Sequence, residues 1–141
     1  MKTILIPVDG SEHSIRALET ALAMSRDVAD SKLHVITVQP PIVSGNVTRF
    51  FSAENIKAYY EDEGRKALEP LKPLIEQAGD ACTELVLVGP VAETIVDYAQ
   101  KHACDHIVMG TRGLGRVSGL VLGSITTKVI SLTTLPVTLV K

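Results

Sequence analysis

The chain has 141 residues, a length that predicts one domain with a buried core. Hydrophobic residues make up 45% of it, which excludes general disorder, and 14 basic residues against 16 acidic ones give a net charge of −2. Because the sequence has no basic stripe and no apolar run long enough to cross a bilayer, we expect neither nucleic acid nor a membrane as a partner.

Localisation is predicted from the first residues and from the two cysteines. The apolar segment in Met1–Pro7 is too short for a signal peptide and is more typical of a first strand. Cys82 and Cys104 do not form a C-x-x-C pair. They are therefore expected to be free thiols in a cytoplasmic protein.

Strand-like and helix-like segments alternate along the first part of the chain. Thr3–Val8 is a β-branched run with apolar residues on both faces, as in a buried parallel strand, and Ser11 is placed to cap the following helix. The second strand is expected at Leu33–Val38, followed by a polar, mobile connection over Gln39–Ser52. The apolar stripe of the first helix is expected to comprise Ile15, Leu18, Ala21, Leu22 and Ser25.

The second part of the chain begins with a longer helical pattern at Ala53–Gln77. Pro70 and Pro73 should kink or split this helix, because proline removes a helical N–H group. The next helix has an apolar stripe at helical spacing formed by Ala92, Ile95, Val96, Ala99 and Ala103. The remaining elements are expected at Thr83–Val88, His106–Met109, Ser124–Leu132 and Val137–Val140.

This alternation predicts a parallel sheet with helices on both faces. In such sheets ligands bind beyond the carboxyl ends of the strands, at the point where the strand order reverses. Two loops of this kind carry informative residues, Pro7–Gly10 after the first strand and Gly110–Gly123 after the fourth.

The second of these loops has the spacing G-x2-G-x9-G-[ST], formed by Gly110, Gly113, Gly123 and Ser124. Glycine allows close approach of the backbone, and a Gly-Ser step that opens a helix presents free N–H groups and a hydroxyl, which suits phosphate. The loop lacks the lysine of a Walker A motif, and a dinucleotide fingerprint would follow the first strand instead. The four histidines show no metal-binding spacing.

Individual residues of these loops allow more than one role. Asp9 either stabilises its own turn or faces a ligand, and Ser124 caps its helix, donates to phosphate, or does both. Arg112 and Arg116 either neutralise phosphate or are solvated surface residues.

The glycine spacing, together with Lys2–Ser11, Gly89–Glu93, Asp105–Gly113 and Leu135–Val140, resembles the universal stress protein family in its ATP-binding branch. The resemblance covers nearly the whole chain. It implies one universal stress protein domain over residues 1–141, an α/β fold with an open five-stranded parallel sheet, similar to the adenine nucleotide alpha hydrolases. It also implies the strand order 3-2-1-4-5 and helices on both faces of the sheet.

The same resemblance implies a site for ATP, with AMP or another adenine nucleotide as the alternative. Asp9 would face the ribose or a phosphate-bound Mg²⁺ or Mn²⁺ ion, and the protein alone would hold no metal. The backbone at Val35 would meet the adenine edge. The implied nucleotide-binding residues are Pro7, Val8 and Asp9 at the adenosine, Met109, Gly110, Arg112 and Gly113 at the ribose and phosphates, and Gly123, Ser124, Ile125 and Thr126 at the phosphate tail.

These expectations describe an ATP-binding module for stress response or signalling, with little or no catalysis. It would form a homodimer through the C-terminal strand Val137–Val140 and act on an unidentified regulatory protein. One alternative is a weak ATPase or nucleotidyl transferase on the same fold. Another is a protein-interaction module that carries no nucleotide.

Overall fold

The computed structural model describes residues 2–42, 45, 51–114 and 121–141. Five parallel strands form one sheet in the order β3-β2-β1-β4-β5, which confirms the predicted order. Seven of the fourteen residues of the connection that was predicted to be mobile, and Arg116, lie outside the described residues. The strands are β1 (Thr3–Pro7), β2 (Lys32–Gln39), β3 (Cys82–Val88), β4 (His106–Gly110) and β5 (Val137–Val140).

Helices cover both faces of this sheet, and the predicted split of the long helix is confirmed. Pro70 lies in a short 3₁₀ helix and Pro73 in the first turn of the next α-helix, where a missing N–H group costs no helical hydrogen bond. No helix in the described ranges is long and apolar enough to cross a membrane. The helices are α1 (Glu12–Ser25), α2 (Ala53–Leu68), α3 (Lys72–Ala78), α4 (Val91–Lys101) and α5 (Ser124–Leu132), with 3₁₀ turns at Glu69–Leu71 and Gly79–Ala81.

Two helical stripes differ in part from their predictions. In α1, Ser11 caps the helix as expected, but Ile15 and Leu22 are only half-buried. Small side chains lie nearest the sheet instead, so α1 packs closely on β4. In α4, Ala103 lies beyond the end of the helix, exposed and with a left-handed φ of 50°, where the chain turns into β4. The buried face of α1 is Ser14, Ala17, Leu18 and Ala21.

The sheet separates two hydrophobic cores, which explains why the central strands are apolar on both faces. Ile4 and Val35 pack with α1 and α3 on one side, and Leu5 and Ile36 pack with α4 and α5 on the other. All four side chains are fully buried. The stacked cores fix the carboxyl ends of β1 and β4, where the loops begin.

Two polar features lie away from those strand ends. A histidine cluster joins His34 on β2 to Tyr98 on α4, with His34 Nδ1 at 2.7 Å from the Tyr98 hydroxyl and His102 stacked on the Tyr98 ring.

Cys82 is half-buried and Cys104 is buried, and both are free thiols, as predicted. Burial raises the pKa of each thiol to about 11.

Candidate functional site

A cavity of about 120 Å³ lies at the carboxyl ends of β1 and β4, where the strand order reverses. It brings together nine of the twelve residues predicted for the site, whereas Gly123 and Ser124 adjoin it at the start of α5 and Val35 lies elsewhere. The lining residues are Pro7, Val8, Asp9, Ser14, Val38, Val91, Ile95, Met109, Gly110, Arg112, Gly113, Ile125 and Thr126.

The prediction for Val35 is wrong, because the backbone of this residue is committed to the sheet. Alternate residues of a parallel strand direct their N–H and C=O groups to the same neighbour. Gln39 accepts a hydrogen bond from Gly89 after β3, so Val35, an even number of residues earlier, also faces β3. The side chain of Val35 is fully buried in the core.

Val38, and not Val35, presents free backbone groups at the cavity. The Ile36 carbonyl accepts from Val8 N–H at 2.8 Å, so the N–H and C=O of Val38 point the same way, past the end of β1. Asp9 N–H donates to Ser14 Oγ and does not continue the ladder of hydrogen bonds between β1 and β2. None of the described residues hydrogen-bonds to this side of Val38. The edge of the cavity therefore carries one backbone donor and one backbone acceptor side by side.

Asp9 lines the cavity, but its carboxylate is held by the protein. Oδ1 accepts from Ser11 N–H at 3.0 Å and from the Ser14 hydroxyl at 2.8 Å, and Oδ2 accepts from Leu114 N–H at 2.8 Å. Burial would raise the pKa of Asp9, but these hydrogen bonds outweigh it and lower the pKa below 3.8. The protein itself thus occupies three of the about four acceptor sites of this carboxylate, and its contact with the ribose or a metal ion stays a prediction.

Close contacts within the protein explain the three glycines of the predicted motif. A Cβ on Gly110 would lie 2.6 Å from His13 Cβ, and one on Gly113 would lie 1.9 Å from Asp9 Oδ2. A Cβ on Gly123 would lie 3.3 Å from the Arg112 Cα, which is tight. None of the three has the left-handed φ that glycine favours, so close packing explains them.

The start of α5 is an uncapped helix N-terminus beside the cavity. Gly123 is the N-cap residue and supplies no side chain, and its own N–H donates to the Thr111 carbonyl at 2.8 Å. The N–H groups of Ser124, Ile125 and Thr126 have no partner among the described residues. The Thr126 hydroxyl donates to the Gly110 carbonyl at 3.0 Å, so the side chain holds the loop and only its backbone remains for a phosphate.

Four lining residues were missed by the sequence reasoning. Ile95 was assigned only to the apolar stripe of its helix, and Val91, one turn before it, was assigned no role. Ser14 holds the third helical position after the Ser11 cap, where an inward polar side chain is a recognisable signal. Val38 could have been found only by counting from the end of β1.

Comparison with known proteins assigns the family. The family model described as "Universal stress protein family" matches residues 1–141. A universal stress protein of Thermus aquaticus is 36% identical over 140 residues, covering 99% of this chain and 98% of the relative. The chain belongs to the universal stress protein family.

Solved structures agree with the fold. The structure of MJ0577 from Methanocaldococcus jannaschii has a TM-score of 0.85 at 28% identity, covering 99% of this chain and 95% of that one. A universal stress protein of Archaeoglobus fulgidus in complex with dAMP has a TM-score of 0.69 at 24% identity, covering 100% and 98%. At that identity the second comparison supports the fold alone.

Proposed function

We propose that this protein binds an adenine nucleotide, with ATP as the preferred ligand, in the cavity between β1 and β4. The observation that carries the proposal is an apolar cavity with a free backbone donor–acceptor pair at Val38 and an uncapped helix N-terminus at Ser124. Family structures of the same fold with dAMP, cAMP and AMP support the choice of an adenine nucleotide.

The base is the part of the ligand that suits the cavity itself. The volume of about 120 Å³ is below the ~300–1,000 Å³ of pockets that enclose whole ligands, so the sugar and phosphates would lie outside it. Val38, Ile95 and Met109 supply apolar surface for a purine ring. The N–H and C=O of Val38 complement adenine, which presents an acceptor beside an amino donor, whereas guanine presents the reverse order.

The phosphates would lie at the start of α5. Three orphan N–H groups and the positive end of the helix favour an anion there. The Ser124 hydroxyl is exposed and adds a donor. Arg112 is exposed at the cavity wall, and its guanidinium suits a second or third phosphate, which is why we favour ATP over AMP.

We further propose that the protein is a binding module rather than an efficient hydrolase. Asp9 is the acidic residue of the cavity lining, and its carboxylate already accepts three hydrogen bonds. Efficient phosphoryl transfer needs a carboxylate-held metal ion or a positioned water. A metal ion at this site would therefore be held mainly by the phosphates.

Nucleotide analysis of the purified protein, followed by calorimetric titration with ATP, AMP, cAMP and GTP, tests the proposal. We expect an adenine nucleotide to co-purify and ATP to bind more tightly than AMP or GTP. Val38→Pro removes the N–H group that faces the base, and should abolish the preference for adenine, whereas Val38→Ala should retain it. A folded protein that binds none of these ligands would instead favour a protein-interaction module, and rapid steady-state phosphate release would favour an ATPase.

The protein is also proposed to act as a cytosolic homodimer that signals stress to a regulatory partner protein. β5 is an edge strand, with Ile107 N–H of β4 donating to the Pro136 carbonyl on its inner side. By the same alternation, the N–H and C=O groups of Val137 and Leu139 point outward. Edges of this kind are usually covered, and pairing with a second β5 across a two-fold axis would cover this one.

A further inference from the structure

We propose that Asp9 is a positioning residue, which anchors the glycine loop and, through that loop, places the start of α5 for phosphate binding. This inference rests on the proposed nucleotide site and concerns how that site is held in shape. We call Asp9, Ser14, Gly113 and Leu114 the loop anchor. Its members come from the first helix region and from the loop after β4.

The protein occupies most of the hydrogen-bond acceptor sites of the Asp9 carboxylate. An ionised carboxylate has about four acceptor sites. Ser11 N–H and the Ser14 hydroxyl take two on Oδ1, and Leu114 N–H takes one on Oδ2 across 105 residues of sequence. Ser14 is buried, and its Oγ also accepts from Asp9 N–H at 2.9 Å, so the carboxylate is oriented from both ends.

The Asp9 carboxylate also packs closely against the loop at Gly113. A Cβ on Gly113 would lie 1.9 Å from Asp9 Oδ2 and 3.0 Å from its Cγ. The Gly113 backbone has no left-handed φ that would itself demand glycine. The space beside Gly113 is therefore filled by the Asp9 side chain, which explains the glycine without any ligand.

Two hydrogen bonds connect the loop to the start of α5. The Thr111 carbonyl accepts from Gly123 N–H at 2.8 Å, and the Gly110 carbonyl accepts from the Thr126 hydroxyl at 3.0 Å. Position 123 also lies against the backbone of Arg112. A loop displaced at Asp9 would carry the first turn of α5 with it, and the orphan N–H groups would lose their common direction.

A steric double-mutant cycle tests the anchor without any nucleotide. Gly113→Ala should clash with Asp9 and lower the urea midpoint of unfolding, whereas the same change in an Asp9→Ala background should cost little, because the carboxylate is gone. Equal losses in the two backgrounds would overturn the steric coupling, since they would mean that glycine is needed for the backbone alone.

Amide exchange at Leu114 tests the hydrogen bond itself. In Asp9→Asn the amide can keep an acceptor towards Ser11 and Ser14, but its NH₂ group then opposes Leu114 N–H. We expect Leu114 exchange in the ligand-free protein to accelerate about tenfold or more, with an upfield shift of its amide proton. The control Glu12→Gln changes an exposed carboxylate three residues after Asp9, in the first turn of α1, and should leave Leu114 exchange unchanged. Unchanged exchange in Asp9→Asn would refute the anchor.

Titration with ATP then separates the anchor from the nucleotide site. If Asp9→Asn frees Leu114 and weakens ATP about tenfold or more, the positioning role stands. If Leu114 is freed but ATP affinity is unchanged, the positioning role is overturned. If the wild-type protein binds no nucleotide, the proposed function fails, while the exchange and cycle results still decide whether Asp9 holds the loop.

Discussion

The start of α5 offers the sharpest test of the proposed phosphate site. Ser124 is the first helical residue, and Gly123 before it has extended backbone with φ −73° and ψ 163°, a conformation that a following proline accepts. Proline is favoured at the first helical position, where its missing N–H has no partner within the helix. Ser124→Pro therefore removes one backbone donor and one hydroxyl while preserving the helix.

The magnitude follows from the number of donors that each variant removes. A hydrogen bond to a charged group contributes about 1.5–3 kcal/mol, and about 1.4 kcal/mol corresponds to a tenfold change in affinity. Ser124→Ala removes only the hydroxyl, so we expect ATP affinity to fall roughly ten- to 150-fold. Ser124→Pro removes two donors, and its loss should exceed that of Ser124→Ala by at least about tenfold.

Calorimetry with ATP and with adenosine measures this difference. Adenosine lacks phosphates, so it should bind the wild-type protein and both variants with similar affinity, and thermal unfolding checks that Ser124→Pro remains folded. A folded Ser124→Pro protein with unchanged ATP affinity would refute the role of the helix N-terminus. An equal loss for adenosine and ATP would show that the substitution disturbs the base site instead.

Three further predictions concern assembly, packing and pH. Leu139→Pro removes an outward N–H from β5 and should convert the proposed dimer to a monomer in light scattering, whereas Leu139→Ala should remain dimeric. A full-length chain that is monomeric at micromolar concentration would contradict the dimer. Gly64→Ala places a Cβ 2.5 Å from the Val86 methyl groups. The overpacking cost of about 1–3 kcal/mol should exceed the helix-propensity gain of about 0.5–1 kcal/mol, so urea unfolding should show a lower free energy of unfolding. Burial and the nearby His102 lower the pKa of His34 below 6.5, so the unfolded chain binds a proton that the folded chain rejects. The free energy of unfolding should therefore fall as the pH drops from 6.5 towards the folded pKa, and His34→Gln should flatten that fall; an equally steep fall in this variant would refute the assignment.

Local signals were sufficient to predict most elements of the fold. The bounds Ser124–Leu132 and Val137–Val140 agree with the structure, because a Gly-Ser start and a proline before the strand are punctuation that the chain carries locally. Pro70 and Pro73 likewise divide a helix without help from distant residues. Ala103 continued the helical period but lies past the end of α4, so periodicity alone extended the prediction too far.

The atoms that line the site depend on contacts between residues far apart in the sequence, which no local pattern reveals. Whether Val35 or Val38 faces the cavity is decided by where β1 ends against β2, at Pro7 opposite Ile36. The hydrogen bonding of Asp9 likewise includes Leu114 N–H, 105 residues later. Residue type and spacing therefore led to the candidate site, whereas the sheet register and this long-range hydrogen bond determined which atoms have no partner among the described residues.

The raised pKa values of the two thiols also bear on how the protein meets oxidants. With a pKa of about 11, Cys82 and Cys104 are ionised at neutral pH about a hundredfold less often than thiols at the ordinary value of 9.0. Because peroxides attack the thiolate, both sulfurs should be slow to form sulfenic acid or mixed disulfides. Both sulfurs are thus expected to stay reduced at oxidant levels that modify thiols of ordinary pKa.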